Sequence, residues 1–362
     1  MHWLVLYIAV FLVALTLSAV LCAVARRLGR IWGLLDQPEG RKAHDRAIAM
    51  TGGWGIFATF GLLVAGGMIG ADALASRLPA GLSALGPYLE NIAGIRVQVW
   101  AVLGGAGVVF ALGLTDDLRP LGPKTKLAVQ LLAVVPLVGA DITIRGFLPG
   151  PIGWLATALW VLVLTNSFNL LDNMDGLAGS VALVICLVLV AAALQGGELW
   201  LPALFLCLAG TLAGFMIYNF HPASLFMGDA GSLTVGYLMA VFSILITYFE
   251  LGCSSALPVL MPLAIMGVLL FDTLSVLYIR RREGRPLMVG DRSHFSHRLL
   301  AMGFSVRAAT FTIALLAGAC GLLALPLRQL GWGEALVHLS ALAMLFGVIV
   351  MLELTGRRGN SA

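Results

Sequence analysis

A chain of 362 residues that is 60% hydrophobic and 11% charged, with a mean hydropathy of +0.98, is incompatible with a soluble domain and demands an integral membrane protein. The net charge of +4 then reads as membrane topology, and no nucleic-acid partner is expected. Cys22, Cys186, Cys207, Cys253 and Cys320 lie in or beside apolar runs without paired spacing, so neither a disulfide framework nor a zinc site is indicated.

Apolar runs long enough to cross a hydrocarbon core of about 30 Å fall at 3–25, 48–70, 98–114, 125–140, 152–168, 177–195, 199–217, 231–249, 257–279, 307–326 and 335–354. They predict a single all-α polytopic membrane domain over 1–362, with about eleven transmembrane helices. Met1-His2-Trp3 lacks a basic lead, so the first run is expected to be a retained span. If the segment after it is cytoplasmic, only Arg77, Arg96, Arg145 and Arg328 of the 22 Lys and Arg fall on the far side. That imbalance predicts an outside N-terminus and a cytoplasmic C-terminus.

Polar islands interrupt the runs, and all can be placed on the inner side. In the first, Arg26, Arg27 and Arg30 read as topology anchors. Lys42 and His44 are better candidates for anion binding, because Gly52-Gly53 opens the next helix and allows close approach to unsatisfied N–H groups. Asp116-Asp117 ends the third run, followed by Arg119, Lys124 and Lys126. Two carboxylates about 4 Å apart at an effective dielectric near 20 repel by about 4 kcal/mol. A hard divalent cation with oxygen ligands, Mg²⁺, is the simplest compensation.

The island from Asn166 to Gly179 sets Asn166, Asn169 and Asp172 at intervals of three, so a helix end gathers them on one face. From Tyr218 to Ser232, Gly228-Asp229 reads as a helix start with Asp229 near the cap. Asn219 and the aromatic Phe226 in the same loop suit hydrogen bonding and stacking with a base. The last island holds Arg280-Arg281-Arg282, a stop-transfer anchor that also meets anionic lipid, and then His294, His297 and Arg298, which read as phosphate donors in the absence of a third nearby imidazole for zinc.

Taken together, these motifs resemble the polyprenyl-phosphate N-acetylhexosamine-1-phosphate transferases, the superfamily of the WecA and TagO type that is related to MraY. The resemblance covers nearly the whole chain. It rests on Arg41-Lys42-Ala43-His44 with Gly52-Gly53, on Asp116-Asp117, on Asn166 through Gly176, on Phe226-Met227-Gly228-Asp229 with Gly231-Ser232, and on Ser293 through Arg298. It implies a Mg²⁺-dependent transfer, with Mn²⁺ as a substitute cation, of a sugar phosphate from a UDP-N-acetylhexosamine, UDP-GlcNAc first, to polyprenyl phosphate at the inner face of a bacterial cytoplasmic membrane. It implies Asp229 as the metal ligand and Asp116, Asp117, Asp175, Lys42, His294 and His297 as the residues that act in catalysis. His44, Asn169, Asp172, Asn219, Phe226 and Arg298 would hold substrate. A homodimer is compatible with it.

Three positions depart from the family pattern: Asn173 stands where a glycine is usual, Arg46-Ala47-Ile48-Ala49 replaces a Pro-rich lead, and Ser296 replaces the second histidine of a His-x-His-His loop. The last argues against an MraY-type muramyl-pentapeptide transferase, which stays open as the nearer alternative. A transporter of anionic lipid or nucleotide sugar is the alternative from another class, and it predicts polar groups near the bilayer midplane.

Overall fold

The computed structural model describes residues 2–37, 47–75, 89, 92–144, 150–246, 257–285 and 293–359. Thirteen helices account for most of them: α1 (His2–Ile31), α2 (Gly52–Ala75), α3 (Arg96–Leu118), α4 (Pro123–Gly139), α5 (Gly150–Leu171), α6 (Leu177–Gln195), α7 (Leu201–Asn219), α8 (Gly228–Leu245), α9 (Met261–Ile265), α10 (Gly267–Arg282), α11 (Phe295–Ala301), α12 (Val306–Ala324) and α13 (Trp332–Gly359). Two short strands, β1 (Leu35–Asp36) and β2 (Ile48–Ala49), pair antiparallel.

Among the described residues, nine helices are long and apolar enough to cross a membrane, or ten if a bent pair counts as one span. All eleven expected runs carry helix, and the two that are not among those nine are the runs at 125–140 and 257–279. The run at 125–140 forms α4, whose 17 residues include Pro136. At 1.5 Å per residue such a helix extends about 26 Å, short of the hydrocarbon core of about 30 Å. The run at 257–279 is broken at Met266, where its two halves bend by 69°.

The bundle is organised around α8. Every residue from Ala230 to Ser243 is buried, as expected of a helix that is apolar on all sides. α2, α3 and α5 pack directly against it. Glycine makes the approach close: a Cβ on Gly53 would land on the backbone of Gly231, and one on Gly113 on that of Asp229 and Ala230. On the other side of the bundle α1 packs along α7, where Ser18 Oγ donates to the Thr211 carbonyl at 2.6 Å.

The Gly52-Gly53 pair does give close approach, but to protein. Gly52 N–H donates to the Phe226 carbonyl at 2.9 Å and Gly53 N–H to that of Met227 at 2.8 Å, while Phe226 N–H donates to Ala49 at 2.8 Å. The N–H groups expected to wait for an anion are thus spent on the 220–227 loop, because that loop must satisfy its own carbonyls where it is buried.

Gly53→Ala should lower the thermal midpoint of the detergent-solubilised protein, since overpacking a tight contact costs about 1–3 kcal/mol. Gly61→Ala, on the same helix but facing open space, should leave the midpoint unchanged or slightly raised.

Candidate active site

The end of α3 meets the start of α8. Asp117 Oδ1 accepts from Asp229 N–H at 2.8 Å and Oδ2 from Ala230 N–H at 3.0 Å. The residue preceding α8, Met227, offers no side-chain cap. A carboxylate from another helix therefore caps α8, at the end where orphan N–H groups and the helix dipole favour a negative charge. Asp229 does not cap its own helix, as the sequence suggested; it lies in the first turn, and its own N–H is the one capped.

Lys126, on α4, forms ion pairs with both Asp116 and Asp229, the latter at 2.9 Å. Asp116 also accepts from Leu121 N–H at 2.7 Å, which fixes the turn between α3 and α4. From the end of α5, Asn169 Nδ2 reaches both Asp229 Oδ1 and Ser232 Oγ at 2.9 Å. Asn166 belongs to a different contact, donating to Gln130 Oε1 at 2.7 Å between α4 and α5. Asp172 follows α5 directly. Burial, and then the negative charges of Asp229, Asp117 and Asp175, push its carboxyl up to about 7.

Asp175 and Asn219 hold the neighbouring loop. Asp175 Oδ2 faces His221 Nδ1 at 2.8 Å and accepts from Ala223 N–H at 3.0 Å. Asn219 is buried; its carbonyl accepts from Gly176 N–H at 3.1 Å and its amide donates to the Leu225 carbonyl at 2.9 Å. Phe226, the aromatic suited to stacking with a base, is half-buried and pinned through its main chain.

A second cluster gathers the histidine loop. His294 Nδ1 lies 2.9 Å from Asp272 Oδ2, and Phe295 N–H donates to Asp272 Oδ1 at 2.6 Å. Arg298 donates to Ser275 Oγ at 2.9 Å, and the rings of His294 and His297 are 6.5 Å apart. Ser296 Oγ donates to Asn173 Oδ1 at 2.6 Å, so two of the three departures from the family pattern touch each other and tie the histidine loop to the segment after α5. Lys42 and His44 lie outside the described residues.

Sequence reasoning missed Lys126, Asp272 and His221. Lys126 was visible only as one of three flanking cations. Asp272 carried a usable signal, a lone carboxylate inside an apolar run. His221 carried none beyond its presence in a polar island.

A model of glycosyl transferase family 4 matches residues 99–247, the stretch that contains Asp116, Lys126, Asn169 and Asp229. The chain is 31% identical over 357 residues, 96% of its own length and 90% of the relative's, to a probable undecaprenyl-phosphate N-acetylglucosaminyl 1-phosphate transferase of Bacillus subtilis. The chain belongs to glycosyl transferase family 4. A relative from Mycobacterium tuberculosis, a decaprenyl-phosphate N-acetylglucosaminephosphotransferase, is 31% identical over 81% of this chain and 75% of its own. An undecaprenyl-phosphate alpha-N-acetylglucosaminyl 1-phosphate transferase from Yersinia pestis is 26% identical over 81% and 77%.

The donor set of this family-4 enzyme can be tested against Mg²⁺, which is usually held by one or two carboxylates with water and substrate phosphates completing the shell. Asp116 and Asp229 already converge on one positive charge, the Lys126 ammonium. Asp229 is the more open of the two, its side chain 30% exposed against 9%. Among the described residues no group of three or more His, Cys, Asp or Glu could hold a metal alone. The residues therefore fit a cation shared with a phosphate-bearing substrate and do not fit a fully protein-ligated one.

The raised carboxyl of Asp172 makes a pH prediction for the protein in chelator. A folded state that holds the proton more tightly than the unfolded chain is not penalised below pH 3.8, loses stability as the pH rises from there to about 7, and stays penalised above. Asp172→Asn should therefore raise the thermal midpoint by several degrees at mildly alkaline pH and by much less near pH 4, read by a melting series.

Proposed function

We propose that the protein transfers N-acetylglucosamine 1-phosphate from UDP-GlcNAc to a polyprenyl phosphate, releasing UMP and leaving a polyprenyl-diphosphate sugar. The observation that carries this is the convergence of Asp116, Lys126, Asn169 and Asp229 at the ends of α3, α4, α5 and α8, where a water-soluble nucleotide can meet a lipid whose phosphate lies at headgroup level. The names of the Bacillus and Mycobacterium relatives support the sugar and the lipid class. The distribution of Lys and Arg supports an outside N-terminus and an active site on the cytoplasmic face.

The acceptor phosphomonoester has a second pKa near 6, so it is largely dianionic at neutral pH and needs no strong base. One of its oxygens attacks the β-phosphorus of the donor, a new P–O bond forms, and the bond from the β-phosphorus to the bridging oxygen breaks in line, with the electron pair leaving on UMP. Such a transfer asks chiefly for positioning and charge neutralisation. Mg²⁺, held by Asp229 with help from Asp116, would neutralise the donor diphosphate. Lys126, paired with these carboxylates in the structure, supplies a second positive charge at the same place. Asn169 holds Asp229 in orientation. Asp117 fixes the position of Asp229 through the α8 N-terminus and lies on the acceptor side. His294, His297, Arg298 and Lys42 neutralise phosphate. Asp172 and Phe226 line the nucleotide side, supported by Asn219 and Asp175 through the loop they hold.

Membranes given labelled UDP-GlcNAc and polyprenyl phosphate should yield lipid-extractable label and UMP; no such product with any UDP-sugar would end the proposal. Asp229→Asn should abolish Mg²⁺-dependent turnover even at saturating metal, with the melting transition retained. Near-normal turnover would remove Asp229 from the metal site.

Direct attack also predicts strict dependence on the acceptor. Without polyprenyl phosphate, labelled UMP should not exchange into UDP-GlcNAc. Exchange in the parent that disappears in Asp117→Asn would instead establish a covalent aspartyl intermediate.

A further inference from the structure

Asp272 sits in the middle of α10 and is 2% exposed, flanked on its buried face by Val268, Leu269 and Val276. A carboxylate there is costly unless both oxygens are satisfied. They are satisfied by two consecutive residues of one loop: Oδ2 by the His294 ring and Oδ1 by the Phe295 N–H. Capping α11 would need only the second of these. The first places a carboxylate on Nδ1 of a histidine that is itself 3% exposed, and such a partner decides which ring nitrogen carries the proton.

We infer that Asp272 is a positioning residue for the transfer reaction: it holds the His294 ring with the proton on Nδ1, so that Nε2 is the nitrogen presented to a substrate phosphate. The inference rests on the reaction proposed above. In the imidazolium form both N–H groups then have an oxygen partner, Asp272 on one side and phosphate on the other. The same carboxylate sets the backbone of the loop, and Ser296 with Asn173 and Arg298 with Ser275 brace it. The ring therefore has little freedom to turn, and Asp272 acts on the substrate only through it.

The test uses the full chain in lipid nanodiscs. Asp272→Asn, His294→Gln and the double variant are compared, with saturation in UDP-GlcNAc and in polyprenyl phosphate measured separately; the substrate whose KM rises is the one whose phosphate meets His294. Loss of the group that orients the phosphate-binding histidine should lower kcat by about 10- to 100-fold, the size of effect known for hydrogen-bond partners that orient metal-bound histidines. If Asp272 works through His294, the double variant should fall within about twofold of His294→Gln, because contacting groups that act as one unit are not additive. Losses that multiply, or a parental kcat in Asp272→Asn, would overturn the inference.

A second measurement needs no turnover. In ¹⁵N-histidine spectra recorded on the neutral ring, the signal that disappears in His294→Gln should show an Nδ1-protonated ring. A signal from the Nε2-protonated tautomer would overturn the inference even if Asp272→Asn does not fold. An Nδ1-protonated ring in a parent without transferase activity would sustain Asp272 as the group that orients His294, and the failure would then fall on the proposed reaction.

Discussion

The contact on which the site depends is the two-oxygen grip of Asp117 on the first turn of α8. The first N–H groups of a helix have no partner within it, and those of Asp229 and Ala230 face the incoming end of α3. A carboxylate delivered from α3 serves them, and it can arrive only because Gly113 lets α3 lie against the backbone of Asp229 and Ala230 while Gly53 lets α2 lie against Gly231. Gly228, with a φ of +69°, turns the chain into that space. Asp229 follows at once, so its position is set by helix packing and not by its own side chain.

Charge is arranged in two neighbouring regions of opposite character. Asp116 and Asp229 share the Lys126 ammonium, Asp117 lies on the α8 N-terminus, and Asp172 is close enough to feel the charges of Asp229 and Asp117. With carboxylate pairs repelling by about 4 kcal/mol at close range, one lysine and a helix dipole leave an acidic surplus that suits a divalent cation. The histidine loop supplies His294, His297 and Arg298 on the other side, and the Ser296 to Asn173 hydrogen bond joins the two regions. A diphosphate with a bound cation has the matching pattern, positive toward the aspartates and negative toward the loop.

The helices that depart from plain spans serve this arrangement. α4 is short, yet it delivers Lys126 from its first turn. The break at Met266 redirects the chain before α10, which carries Asp272 and Ser275 to the histidine loop and reaches α5 through a 2.8 Å hydrogen bond from Thr273 to Ser167. Among the described residues, charged side chains cluster at the ends of the apolar helices, with Asp272 as a buried exception, and this distribution differs from the midplane chain of charges expected for a transport pathway.

Membrane class, the approximate limits of the helices and the membership of Asp116, Asp117, Asn169 and Asp229 in one site were determined by the amino-acid sequence alone. Hydropathy is a property of each run by itself, and a polar group at the end of an apolar run declares itself without its partner. Partnership was decided only by tertiary structure. Nothing local tells that Asp117 caps a helix 112 residues away, that Lys126 lies between two aspartates, or that Asp272 takes the His294 ring. The same limit hid the fate of the Gly52 and Gly53 N–H groups and of Asn219, all spent on main chain. The physical reason is common to these cases: a hydrogen bond or ion pair belongs to two groups at once, and which two meet is settled by how closely the helices can approach.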